Sequence, residues 1–188
     1  MVNKNKKSAI IFIDGNNWYH NAKAVIGKPK FINFKKLSDL ICEHFNLDIR
    51  EIRYYNSIPD IDMGDENYYK HMVFLAKLKK QGIIVNTRKL KKIKENGKII
   101  RIEKGIDVMI CSDLISKTLV EEKCEVCVLI SGDADFVPVM QLIKKAGKEV
   151  LTSSVIKGYA RELLQGEFRF LILKKSDLIK CKESYYGE

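Results

Sequence analysis

Ser8-Ala-Ile-Ile-Phe-Ile-Asp-Gly-Asn-Asn17 is the stretch from which the fold is read. Five apolar residues, 9–13, run without interruption and stop abruptly at Asp14. An unbroken apolar run, rather than an alternating one, predicts a strand covered on both faces, as in a parallel sheet with helices on either side. Asp14-Gly15-Asn16-Asn17 is turn chemistry, and a short helix is expected at residues 18–25. Val126-Cys-Val-Leu-Ile130 repeats the pattern and ends in Ser131-Gly-Asp-Ala-Asp135. Both buried strands therefore end in carboxylates.

Working outward, helical spacing places helices at residues 34–45, 66–81, 105–122 and 136–146. Gly82 and Gly147 stand where helix ends want a glycine. Pro138 falls in a first turn, where its missing N–H is harmless. Weaker strands are expected at residues 49–57, from 83, at 149–152 and at 168–173, with a short helix at 158–164 and fraying beyond Lys180. Strands alternating with helices predict a three-layer α/β/α sandwich around a mostly parallel central sheet. In such folds ligands bind outside the carboxyl ends of the strands.

At 188 residues the chain is read as one domain over 1–188, with a core at about 8–152 and a C-terminal extension at about 153–188. A chain of this length buries roughly 70% of its extended surface, enough for a core without staples. Its 46% apolar content excludes a disordered polymer, and three Pro exclude Pro-rich linker material. The basic opening resembles the start of a signal peptide, but the apolar run after it is too short for one, and far too short for a membrane span. The expected location is cytoplasmic. Five Cys at irregular spacing argue against a secreted disulfide framework. Cys124-Glu-Val-Cys127 lacks nearby partners for a zinc site and reads as two small apolar residues entering a strand.

The net charge is +10, and +6 of it falls within 17 residues. These carry Arg88, Lys89, Lys91, Lys92, Lys94, Lys98, Arg101 and Lys104 against Glu95 and Glu103. Asn96-Gly97 at their centre is a strong hairpin signal. The segment at about 89–103 is read as a basic β-hairpin insertion whose cations suit a polyanion, nucleic acid above all. A solvated hairpin kept soluble by Lys is the plainer alternative.

If the two buried strands are neighbours, Asp14, Asp133 and Asp135 converge on one edge, and Asp107 at a helix start can join them. Crowded carboxylates repel one another, and a divalent ion with oxygen ligands relieves the repulsion. Mg²⁺ or Mn²⁺ suits such a set, and metal-activated water can cleave a phosphodiester. Each residue alone also fits a turn or a helix cap. Asp113, six positions past Asp107 and about 240° round the helix, cannot share a metal squarely with it. Asp60, Asp62 and Asp65 read as a solvated turn. Tyr54, Tyr55, Tyr68 and Tyr69 could stack bases or belong to the core. No Walker-type or Gly-x-Gly-x-x-Gly loop is present to cradle a nucleoside triphosphate. Three His leave few general bases.

Phe12-Ile-Asp14-Gly15-Asn-Asn17, Lys104-Gly-Ile-Asp107 and Ser131-Gly-Asp133-Ala-Asp135-Phe136, in that order, resemble the NYN domain family of the PIN-like nuclease superfamily. The resemblance runs from about residue 8 to 152. It implies a PIN-like, Rossmannoid fold and a metal-dependent ribonuclease site. It carries over to Asp14, Asp107, Asp133 and Asp135 as acidic ligands and to Asn17 as a polar site residue. Asp113 also falls where members often have Asp. The expected activity is an endoribonuclease using Mg²⁺ or Mn²⁺, leaving 5′-phosphate and 3′-hydroxyl ends. The RNA is expected to be single-stranded or to offer single-stranded regions. An RNA-binding or regulatory module with little turnover is the alternative, and a homo-oligomer is left open.

Overall fold

The run at the head of the chain is β1 (Lys7–Asp14), the centre of the molecule. The structure, a computed structural model, describes residues 6–183 except 28, 30, 31, 60–64, 96, 97, 103, 157 and 167. β1 leads into α1 (Gly15–Ile26) and α2 (Phe34–Phe45), then β2 (Leu47–Ile58), α3 (Asp65–Lys80) and β3 (Ile84–Lys89). The hairpin β4 (Lys91–Glu95) and β5 (Lys98–Ile102) intervenes before α4 (Ile106–Ile115). β6 (Val126–Ile130), α5 (Val137–Lys145), β7 (Glu149–Val155), α6 (Arg161–Gln165), β8 (Arg169–Leu173) and α7 (Lys175–Lys180) complete it.

Six strands form one sheet in the order β3-β2-β1-β6-β7-β8, every adjacent pair parallel. The chain winds outward from β1 to β3, crosses back to β6 beside β1, and winds outward again. This is the doubly wound order, and its direction reverses between β1 and β6. Alternation along β1 feeds both faces. Ala9, Ile11 and Ile13 pack with residues of α1, α2, α3 and α7, while Ile10 and Phe12 pack with α4, α5 and α6. That two-sided burial is why the run carries no polar residue before Asp14.

The hairpin is antiparallel and stands as its own two-stranded sheet, with Ile93 opposite Ile100. Only Leu90 separates it from the end of β3. Its Asn96-Gly97 turn lies outside the described residues, as do Asp60, Asp62 and the side chain of Asp65. The helix expected over 105–122 is shorter: after α4, residues Ser116–Val120 form a π-helical turn, closed by Glu121 N–H donating to the Ser116 carbonyl at 2.7 Å.

The sheet does not stop at residue 152. β7 continues to Val155 and β8 pairs with it as the outermost strand. α7 buries Leu178 against the first face. The expected fraying directly after Lys180 is corrected by two contacts: the Cys181 carbonyl accepts the Asn33 N–H at 2.8 Å, and Lys182 bridges Ile32. Residues 184–188 lie outside the described residues.

Candidate active site

At the reversal point, the ends of β1 and β6 are joined by side chains. Asp14 ends β1 and caps α1, its Oδ1 accepting the Asn17 N–H at 3.1 Å. Its Oδ2 accepts the Ser131 hydroxyl at 3.0 Å, and that hydroxyl oxygen accepts the Asp133 N–H at 3.2 Å. One buried hydroxyl thus connects the carboxylate of the first strand to the loop after the fourth strand of the sheet. Asp133 Oδ1 in turn accepts the Asp135 N–H at 3.0 Å and caps a short 3₁₀ turn, Ala134–Phe136. Capping does not displace the site reading of Asp14 and Asp133, since a capping carboxylate keeps further lone pairs.

Asn17 clamps the same two loops. Its Oδ1 accepts Gly132 N–H and Asn21 Nδ2–H, both at 2.8 Å, and Asn21 Nδ2 also reaches the Gly158 carbonyl at 2.8 Å. These bonds make Asn17 a brace between the start of α1 and the loop after β6. Two glycines let the strand ends approach. A Cβ on Gly15 would lie 2.3 Å from the Tyr54 ring and 2.7 Å from the Tyr55 carbonyl. One on Gly132 would lie 1.6 Å from the Gly158 carbonyl oxygen, a backbone atom that cannot step aside.

Asp107 comes from α4. It occupies the first turn, where a negative charge favours the helix. The N-cap is Gly105 (φ 85°) rather than Asp107. The Asp107 carboxyl is pushed above the usual range, first by burial and then by the charges of Asp133 and Asp135. One turn on, the Cys111 thiol is pushed up by burial and by Asp107 and Asp135. So Asp107, Asp133 and Asp135 feel one another's charge. Among the described residues, none of the three has a Lys or Arg within ion-pair distance.

Among the described residues no three His, Cys, Asp or Glu side chains close on one point as a wholly protein-built metal site would. Mg²⁺ commonly takes only one or two carboxylates and keeps its remaining ligands as water and substrate oxygens. The donors are all hard oxygens lacking a basic partner at Asp107, Asp133 and Asp135. That chemistry fits Mg²⁺ or Mn²⁺ held through few protein ligands.

The structure gives Asp113 to the scaffold. It accepts from Tyr55 Oη at 2.7 Å and from Arg53 Nη2 at 3.0 Å, and Arg53 Nη1 also reaches Glu51 at 2.7 Å. Burial works against the Arg53 charge, but its bonds to Tyr55, Glu51 and Asp113 outweigh burial and hold its pKa above the usual value. This network ties α4 to β2. Tyr54 and Tyr55 are buried, and Tyr69 is exposed on α3. Cys124 and Cys127 are both buried, the latter inside β6.

Of the predicted cations, Arg88, Lys89, Lys91, Lys92, Lys94 and Lys104 are exposed; the side chains of Lys98 and Arg101 lie outside the described residues. Arg88 stacks over Gly105: a Cβ there would meet its Nη1 at 2.4 Å. The hairpin is thus rooted on the rim that carries Asp107. Sequence reasoning missed Ser131, Asn21 and Gly158 as site-builders. Ser131 stood inside a motif; Asn21 and Gly158 join only through tertiary contact.

No helix among the described residues is long and apolar enough to cross a membrane. No match is found among curated proteins. Among solved structures, a protein of unknown function from Vibrio parahaemolyticus, VPA0982, superposes with a TM-score of 0.66 at 17% identity. The alignment covers 95% of this chain and 99% of that one, a likeness of fold. The sequence model of the NYN domain matches residues 8–174, well past the residue-152 limit of the motif-based resemblance. With that match spanning most of the chain, and three acidic motifs meeting where its parallel sheet reverses direction, the protein belongs to the NYN domain family of PIN-like nucleases.

Proposed function

We propose that the protein is a Mg²⁺- or Mn²⁺-dependent endoribonuclease. The observation that carries this reading is the meeting of Asp14 with the Asp133 loop through the Ser131 hydroxyl, at the point of the sheet where ligands bind. Asp14, Asp107, Asp133 and Asp135 would hold the ion. When bound, it supplies an activated water and charge stabilisation for the leaving oxygen.

The chain's own groups do the positioning. Asn17 N–H and the Ser131 hydroxyl fix both Asp14 oxygens, so the carboxylate presents one orientation. Asn17 Oδ1 holds the β6 loop against α1. The Asp107 carboxyl, pushed up by burial and by the charges of Asp133 and Asp135, would be relieved by a nearby cation. Arg88 and the hairpin cations hold the RNA backbone at the rim, RNA being the substrate class the family suggests.

The test is cleavage of labelled single-stranded RNA with Mn²⁺ and with EDTA. Asp14→Asn keeps a good N-cap while losing the charge. It and Asp133→Asn are expected to lower the rate by at least about 100-fold with the fold intact by circular dichroism. The products of wild type are expected to carry 5′-phosphates. Equal cleavage by wild type and both variants would trace the activity to a contaminant.

A second reading, an RNA-binding module with little turnover, draws on the lack, among the described residues, of three carboxylates closing on one point. Wild type that binds RNA but leaves it uncut in Mn²⁺ decides for that reading.

A further inference from the structure

Beside the acidic cluster lies a cavity of about 420 Å³, between the start of α1, the end of β2 and α3. Its size falls in the range of small-ligand pockets, roughly 300–1,000 Å³. None of Asp14, Asp107, Asp133 and Asp135 lines it, but it reaches the start of α1, which Asp14 caps. Asn16 lines it two residues after Asp14, and Tyr54, another lining residue, feels the Asp14 charge.

The cavity is built of rings. Trp18 meets Phe34 edge-on at 5.7 Å, Phe34 meets Tyr54 at 5.1 Å, and Tyr54 meets Phe74 at 5.7 Å. Three amides, Asn16, Asn56 and Asn67, also line it. Among the residues that line it, Trp18 and His71 each carry a ring nitrogen, Nε1 and Nε2, that is buried without a hydrogen-bond partner among the described residues. Trp18 is only 4% exposed, so its N–H has given up water with nothing in exchange. Burial lowers the His71 pKa, leaving a neutral ring that can donate or accept. Among the described residues no carboxylate lines the cavity.

We infer that this cavity is a nucleobase subsite, receiving an unpaired base next to the phosphate held at the acidic cluster; the inference rests on the reading of the substrate as RNA. Ring edges and faces suit the flat π-surface of a base. Side-chain amides present a donor and an acceptor together, as base edges require. An enzyme so built selects for single-stranded RNA, because a paired and stacked base cannot enter.

Trp18 is the sole tryptophan of the chain and lines this cavity, so its fluorescence is a single reporter on that surface. The experiment titrates the full chain, in EDTA, with AMP, GMP, CMP and UMP, and with ribose 5-phosphate as the base-free control. At least one nucleotide is expected to change Trp18 emission saturably at roughly millimolar concentration, and ribose 5-phosphate to leave it unchanged. Asn67→Ala, on an exposed helix position, is expected to weaken that binding about fivefold, the effect of one hydrogen bond. In cleavage, Asn67→Ala is expected to raise KM by a similar factor while kcat holds. A response to ribose 5-phosphate equal to that of the nucleotides overturns the subsite. So does silence to all four nucleotides in a preparation that cuts RNA. Saturable binding by a protein that cuts no RNA upholds the subsite and removes the nuclease reading instead.

Discussion

Asp14 and Asp113 are both aspartates beside buried strands, yet their neighbours give them opposite roles. Both oxygens of Asp14 are aimed by an N–H and a hydroxyl at the sheet's reversal point. Asp113 is bound to a guanidinium and a phenol at the middle of β2. Asp113→Asn would leave the mostly buried Arg53 with only Glu51 for charge compensation. A loss of about 2 kcal/mol is expected, below the value for a fully buried pair because Asp113 is partly exposed. Urea denaturation reads this directly. Metal-dependent cleavage at 25 °C is expected to stay within a few-fold of wild type; a loss like that of Asp14→Asn would move Asp113 into the site. The different placement of Asp107 and Asp113 was legible from their six-residue spacing on a helix. That Arg53 and Tyr55 would claim Asp113 was not, because those partners lie about 60 positions away.

The hairpin shows what local sequence decides about an element. Asn96-Gly97 between two basic arms is enough to predict antiparallel pairing, and β4 and β5 pair in that way. Where the hairpin is rooted depends on β3 ending at the same rim as β1 and β6, and on Arg88 lying over Gly105. If about six of its cations each neutralise one phosphate, log affinity for single-stranded RNA should fall with log salt at a slope of roughly −4. Replacing Lys91, Lys92 and Lys94 by Gln should bring the slope to roughly −2. Binding measured by anisotropy between low and moderate salt checks both. A wild-type slope near zero would take the hairpin out of RNA binding.

For the molecule as a whole, the acidic cluster is an electrostatic liability that a divalent ion, on the proposed reading, would relieve. A ligand bound only by the folded state adds stability by mass action, about 2.7 kcal/mol at a hundredfold excess over its dissociation constant. For a chain of this length that is a rise in Tm of roughly 5–10 °C. Wild type melted in Mn²⁺ and in EDTA is expected to show such a rise, and Asp14→Asn and Asp133→Asn to lose most of it. An identical rise in all three would place the ion elsewhere.

The sequence by itself determined the alternation of strand and helix, the two unbroken strands, the hairpin and the acidic motifs. Each of these is written in neighbouring residues, through the burial period of a strand, the spacing of a helix face or the backbone demands of a turn. The tertiary structure alone decided that β1 and β6 lie side by side, that Ser131 joins Asp14 to the Asp133 loop, and that Asn17, Asn21 and Gly158 hold the loops together. It also paired the last expected strand with β7 as the sheet's edge and shaped the ring-lined cavity near Asp14. Those contacts join residues more than a hundred positions apart, or strands whose pairing depends on the winding of the whole chain. No local periodicity encodes such a meeting.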